Sequence, residues 1–380
     1  MSPIRFLLVA LVITGCRSAE NQHTSVPGWA IGPFEKLDAV NPVLQPDPHL
    51  SFVDPILQDS VQWEQKDVFN PAAVVRNDTL FLLYRAEDTI GKSAGTSRIG
   101  LAWSTDGMHF NKNPYPVFFP NSDSQLEWEW DGGCEDPRIV QDESGQYIMT
   151  YTAYDGNKAR LFVASSPDLR HWTKHGSAFA SAKDKKYASG WSKSGSIVSS
   201  YASGTPVAKK IHGKYWMYWG DQNIWMATSD DLINWEPVLD PTKREKTAME
   251  SRGIAPQFAE LKPAFAPREK KFDSDLIEPG PPAMLTDKGI VLIYNSRNVR
   301  SVGDTSLPEG CYAPGQVLMD SNHPDSVIDR MDHYFMKPDK PYEITGQVNH
   351  VCFLEGLVRY KGKWLLYYGT ADSKIAAAVK

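Results

Sequence analysis

Cysteine is scarce in this chain, four residues in 380. With Cys16 set aside, Cys134, Cys311 and Cys352 remain, an odd number at wide spacing. That argues against a disulfide framework and offers no zinc-ligand pattern. Long apolar runs are missing too. Apart from residues 6–13, which are short, nothing approaches the roughly 20 residues that span a bilayer. Basic charge is not in excess: 40 Lys and Arg stand against 46 Asp and Glu, a net charge of −6. No basic run occurs, which argues against nucleic acid as a partner. No long helical pattern is apparent, and no ligand spacing calls for a metal or a cofactor, so none is expected.

What is present begins with an address. Arg5 precedes a short apolar core, Phe6 to Ile13, and small residues follow it, as in an export signal. Ile13-Thr14-Gly15-Cys16 resembles a lipoprotein processing site, in which the cysteine becomes the lipid-bearing N-terminus. This reading divides the chain into a signal peptide (1–15), a tether (16–45) and a catalytic body (46–380), anchored to the membrane only through Cys16. Arg17 in place of an aspartate points to the outer membrane, at its periplasmic side or at the cell surface. A plain secretory peptide with an incidental cysteine is the alternative.

The body repeats. Ser104-Thr-Asp106-Gly-Met-His-Phe110, Ser166-Pro-Asp168-Leu-Arg-His-Trp172 and Ser229-Asp-Asp231-Leu-Ile-Asn-Trp235 share the pattern Ser-x-Asp-x-x-x-aromatic, with starts 62 and 63 residues apart. Each follows a pair of runs rich in aromatic and branched residues, the signature of strands. The motif itself suits a turn in which the Asp carboxylate accepts backbone N–H bonds and the ring plugs a core. Two further strand pairs, GIVLIYNSRN with APGQVLMDS and KWLLYYGTAD with KIAAAVK, lack the turn motif. Five such units predict an all-β chain, a five-bladed β-propeller of four-stranded blades.

In a propeller the functional site draws polar residues from several blades at one mouth. The candidates are Asn70 with Pro71; Arg85, Glu87 and Asp88; Glu135, Asp136 and Arg138; Lys193 and Asp221; Glu278 and Asn295; and Asn349, His350, Glu355 and Asp372. Gathered carboxylates can divide the work of glycoside cleavage, one protonating the leaving oxygen while another activates water or attacks the sugar. Each has a plainer alternative, a cap on backbone N–H groups or a structural ion pair.

FNPAA (Phe69–Ala73), YRAED (Tyr84–Asp88), CEDPRI (Cys134–Ile139), GPP (Gly280–Pro282) and YYGTAD (Tyr367–Asp372) together resemble glycoside hydrolase family 130, the mannoside phosphorylases and β-mannosidases, across Asp67 to Lys380. The resemblance implies that Asp136 is the general acid, acting through a sugar hydroxyl. It also implies that Asn70, Arg85 and Asp372 hold the non-reducing mannose, while Arg138 orients Asp136. Asp88, Lys193, Asn295, His350 and Glu355 complete the expected substrate-binding set. Phosphorylases of that family bind phosphate through HRP-like and YHG-like segments, where this chain reads Trp219-Gly220-Asp221 and Tyr294-Asn295-Ser296. With those positive charges replaced, the expectation is an inverting exo-β-mannosidase, β-1,2 linkages favoured, in which Glu278 or Asp221 activates water and Glu355 is a third candidate. The alternatives are a phosphate-dependent β-mannoside phosphorylase, a different five-bladed glycosidase of the arabinanase kind, and a non-catalytic glycan-binding lipoprotein.

Overall fold

The computed structural model describes residues 26–90, 95–240 and 260–380. The signal peptide and Cys16 lie outside the described residues. Among those described, helix is confined to single turns at Leu126–Glu129, Lys186–Ser189 and Pro341–Ile344. The rest is strand and turn, so the chain is all-β.

The strands fall into successive antiparallel units. The first comprises Asp67–Arg76, Thr79–Glu87, Ser97–Ser104 and Asn111–Lys112. The second comprises Gly133–Gln141, Tyr147–Tyr154, Ala159–Ser166 and Thr173–Ser177. In the third, Ser196–Ile197, Lys214–Trp219, Ile224–Ser229 and Trp235–Pro237 pair in order. The fourth is built on Leu276–Pro279, Gly289–Arg297, Gly315–Met319 and Val327–Arg330. The fifth runs Cys352–Tyr360, Lys363–Thr370 and Lys374–Val379. Its fourth strand comes from the other end of the chain, where Glu35–Lys36 pairs with Lys374–Val379.

That pairing corrects the expected tether. From Ile31 onward the segment is docked: the Ile31 backbone exchanges hydrogen bonds with the Gln316 side chain, and Leu44 bridges Ile375. Left uncovered, the edge of Lys374–Val379 would offer unpaired N–H and C=O groups, and covering such an edge is a general need of sheets.

The repeated motif is a turn, as read. In all three copies the serine hydroxyl accepts from the N–H groups two and three residues on, and the aspartate accepts from the next two. The residue after the aspartate is left-handed in each, Gly107, Leu169 and Leu232. Trp172 and Trp235 then donate their indole N–H back to the carbonyls of Leu169 and Leu232.

Apolar cores sit between neighbouring units. Leu83 and Leu101 meet Met149 and Phe162 between the first and second. Leu161 and Val163 meet Met217 and Trp225 between the second and third. Met226 and Tyr218 meet Leu292 and Val317 between the third and fourth. Ile293 meets Leu354 and Tyr368 between the fourth and fifth. A further core joins Leu82 and Tyr84 of the first unit to Leu365 and Tyr367 of the fifth. Burying each such side chain contributes about 1.5–3 kcal/mol.

Candidate active site

Three inner strands carry a bulge at the same height. In the first unit the register passes from Phe69–Arg85 to Pro71–Tyr84, leaving Asn70 as the extra residue. In the second it passes from Glu135–Thr152 to Arg138–Thr150, which frees Asp136. In the fifth it passes from Leu354–Tyr368 to Gly356–Tyr367, which frees Glu355. A bulge re-aims one side chain without ending the sheet. Asn70 and Asp136 adopt φ of 48° and 47°, a left-handed conformation that Asn and Asp tolerate better than most residues. The prolines that follow them, Pro71 and Pro137, have no N–H to lose from the ladder. Gly369 leaves the room Asn70 needs, since a Cβ there would lie 2.4 Å from Asn70 Oδ1.

Asp136, 2 % exposed, is the hub. Its Oδ1 accepts from Asn70 Nδ2 at 2.9 Å and lies 3.4 Å from Arg85 Nη1; its Oδ2 lies 3.3 Å from Lys193 Nζ. Lys193 Nζ is also 3.5 Å from Glu278 Oε1, which accepts a short bond from the Ser194 hydroxyl. Arg85 pairs with Glu87 at 2.7 Å and Glu135 at 2.8 Å, and donates to Ser97 Oγ. Arg138 spans from the second unit to the fourth, donating to the carbonyls of Gly280 (2.9 Å) and Pro279 (2.7 Å). Its Nη2 lies 2.8 Å from Glu355 Oε1, yet both oxygens of that fully buried carboxylate lack an aligned hydrogen bond. The contact is one of charge.

These neighbours set the ionisation states. Burial alone would push the Asp136 pKa up, but Lys193, Arg85 and the Asn70 bond hold it below the usual carboxylate range. Burial prevails at Glu278 against Lys193 and Arg138, at Asp221 against Lys193 and the Trp191 indole bond, and most strongly at Glu355 against Arg138, raising all three. Glu135 is pushed to about 7 by burial with Asp136 adding, although Arg85 opposes. Asp372 reaches about 7 by burial, against Arg85 and with Asp136 and Glu87 adding. Lys193 is held well above its ordinary value, because Glu278 and Asp136 outweigh its burial.

Of the residues expected from sequence, Asn70, Arg85, Asp136, Arg138, Lys193, Glu278 and Glu355 form this connected group. Asp372 and Asp221 lie within its electrostatic reach, and Trp191 holds Asp221 at 2.8 Å. Two expectations need correcting. Asp88 is fully buried and pairs with Arg98, which also binds Asp54. Asn295 spends both ends of its amide on the backbone of Leu354, at 3.0 and 2.7 Å, and so fixes the strand that carries Glu355. His350 accepts from Tyr312 N–H through its backbone carbonyl, and its buried Nδ1 makes no hydrogen bond. Ser194 and Trp191 went unnoticed in the sequence; their only signal was adjacency to Lys193. Among the described residues no group of His, Cys, Asp and Glu is arranged to hold a metal.

An all-β frame that gathers carboxylates and guanidiniums about one aspartate is the equipment of a glycoside-cleaving enzyme. The profile of the glycoside hydrolase family 130 sequences, described as beta-1,4-mannooligosaccharide phosphorylase, matches residues 41–380. The chain belongs to that family. The 1,2-beta-oligomannan phosphorylase of Thermoanaerobacter sp. (strain X514) is 29% identical over 326 residues, covering 84% of this chain and 91% of the relative. The beta-1,2-mannobiose phosphorylase of the same organism is 28% identical over 333 residues, covering 84% and 91%. A solved structure from work on glycoside hydrolases of family 130 that target β-1,2 mannosidic linkages in Candida mannan is 45% identical. It superposes with a TM-score of 0.86 over 93% of this chain and 95% of that one.

Proposed function

We propose that this chain is an exo-acting, inverting β-mannosidase, β-1,2 linkages preferred, built as a five-bladed β-propeller on an exported outer-membrane lipoprotein. The observation that carries hydrolysis is the commitment of every cation in the Asp136 group. Arg85 faces Glu87, Glu135 and Asp136; Lys193 faces Asp136 and Glu278; Arg138 faces Glu355 and two backbone carbonyls. A phosphate dianion needs uncommitted donors, and here it would meet Glu278 and Asp221 instead. The propeller reading rests on the cores, which join each unit to the next and the fifth to the first. The lipoprotein reading rests on Cys16 and its flanks alone.

In this reading Asn70, Arg85 and Asp372 hold the terminal mannose, Asp136 is the acid, and Glu278 or Asp221 activates water. Lys193, Arg85 and Asn70 lower the Asp136 pKa in the free site, and a sugar entering between Asp136 and Lys193 weakens their attraction and raises the proton affinity of the aspartate. The Asp136 and Glu278 oxygens share Lys193 Nζ at 3.3 and 3.5 Å. They can therefore be no more than about 7 Å apart, at the lower edge of the roughly 6.5–9.5 Å that inversion requires.

Phosphorolysis is the second reading. The relatives with assigned activities are phosphorylases, and they back that alternative better than hydrolysis; the structure at 45% identity was described among hydrolases. The deciding experiment incubates the protein with β-1,2- and β-1,4-mannobiose, each with and without inorganic phosphate. Free mannose without phosphate is expected. Mannose 1-phosphate formed only with phosphate would overturn hydrolysis. Asp136→Asn should lower turnover by roughly 10²–10⁴-fold, and near-normal turnover would remove Asp136 from the acid role.

A further inference from the structure

The first two units aim Asn70 and Asp136 through left-handed residues, and the third has its own. Ser194 adopts φ of 61°, two residues before the strand Ser196–Ile197 begins. A residue other than glycine held in that region points to a local demand that the surrounding structure enforces. Neighbouring side chains of an extended segment point to opposite faces. At Lys193 and Ser194 the left-handed turn brings both to one target instead. The Ser194 hydroxyl donates to Glu278 Oε1, and Lys193 Nζ lies 3.5 Å from the same oxygen. The chain is pinned on either side of this turn. The Lys193 carbonyl accepts from Gly220 N–H at 2.9 Å, and the Gly195 carbonyl accepts from the Thr150 hydroxyl at 2.7 Å. Ser194 is fully buried, so bulk water does not compete for its bond.

The same contacts distinguish the two oxygens of Glu278. Ser194 Oγ, Lys193 Nζ and, at 4.0 Å, Arg138 Nη2 all meet Oε1. The backbone beyond Glu278 is fixed as well: Arg138 donates to the carbonyls of Pro279 and Gly280, and the Ser196 hydroxyl donates to that of Pro281 at 2.8 Å. Charge around this carboxylate is mixed. Burial raises its pKa, Lys193 and Arg138 oppose, and Asp221 and Asp136 add to the rise; Glu355 and Tyr312 also lie within its electrostatic reach. A hydroxyl that donates to the anion works with the two cations, because a hydrogen bond to the charged form favours that form.

We infer that Ser194 is a positioning residue for the activation of water: by holding Glu278 through Oε1, it leaves Oε2 to take the proton of the attacking water. The inference rests on the mannosidase reading and takes Glu278 as its base. The water oxygen bonds to C1 of the terminal mannose as the bond from C1 to the leaving oxygen breaks. One water proton passes to Glu278 Oε2, and the proton of Asp136 goes, through the sugar hydroxyl, to the leaving oxygen.

The test follows kcat and KM on β-1,2-mannobiose for wild type, Ser194→Ala, Ser194→Gly and Ser194→Cys. Ala and Gly both delete the hydroxyl, but only Gly accepts the left-handed backbone without strain. Both should lower kcat roughly 10–100-fold, the effect of one hydrogen bond to a charged group, while KM stays within about twofold. The acidic limb of kcat/KM against pH should rise by roughly 1–2 units in each, since a donor to the anion has been lost. Ser194→Cys, whose thiol is a weak donor, should fall between these variants and wild type. Wild-type kcat in Ser194→Gly, or a fall in kcat with an unmoved acidic limb, would overturn the assignment. A loss in Ser194→Ala that Ser194→Gly does not share would do the same, since it would mark backbone strain and not the hydroxyl. Wild-type protein that yields mannose 1-phosphate, and no free mannose, would instead sink the mannosidase reading on which the role of water depends.

Discussion

Lys193 is the group whose removal should be most informative, because its ammonium faces the carboxylates of both Asp136 and Glu278, at 3.3 and 3.5 Å. Lys193→Met keeps the aliphatic stem and deletes the charge. At 3.3 Å and an effective dielectric of 20, one such pair is worth on the order of 5 kcal/mol. Solvent in the open channel and the remaining guanidiniums of Arg85 and Arg138 absorb much of that. A residual of about 1.4–3 kcal/mol per carboxylate corresponds to a rise of roughly 1–2 pH units in each. The assay is kcat/KM against pH, which reports the free enzyme. Both limbs of the profile should move to higher pH, since loss of a neighbouring cation disfavours each carboxylate anion. The apparent values belong to the coupled group and not to either residue. If both limbs stay within about 0.3 units while KM rises, Lys193 merely holds substrate and the electrostatic account of this site is wrong.

Other consequences are quickly stated. Asp88→Ala should cost about 3–5 kcal/mol in urea unfolding, because it strips one of the two partners from the fully buried Arg98; kcat/KM per folded molecule should hold, and a selective rise in KM would return Asp88 to the sugar site. Asp372 has its carboxyl raised from 3.8 to about 7, so its contribution to stability is complete below pH 3.8 and is lost as pH rises through 7. Asp372→Asn removes that loss, and relative to wild type the variant should gain on the order of 2 kcal/mol between pH 5 and pH 8. A difference that does not vary with pH would place the Asp372 carboxyl in solvent.

Much of this was legible because strands and turns write short-range patterns. The Ser-x-Asp turns declared themselves by spacing, whereas the bulges at Asn70-Pro71 and Asp136-Pro137 were not read from the sequence, although Asn and Asp are residue types a left-handed position accepts. Period two could also have separated Glu87 from Asp88. Arg85 and Glu87 share a strand face and pair, while Asp88, one residue on, turns away to Arg98. The role of Asn295 was not legible, since its partner Leu354 is 59 residues away on another unit. No local rule says which distant backbone will meet an amide. The docking of Glu35–Lys36 was hidden for the same reason: two residues carry no strand signal until the edge they cover exists.

The bulges also explain why a repeat can build an asymmetric site. An unbulged inner strand presents alternate residues to its two faces, and its polar groups would compete with the cores between units. One extra residue, placed at Asn70, Asp136 and Glu355, turns a single polar side chain toward the common centre and leaves the packing of the strand intact on either side. All three bulges lie on inner strands, although only Asn70 and Asp136 are left-handed, and the residue that fills each sets its chemistry: an amide that donates, a carboxylate whose pKa two cations hold down, and a carboxylate that burial drives toward its neutral form. Environment, through Lys193 and Arg85 at one and Arg138 at the other, separates the two acids.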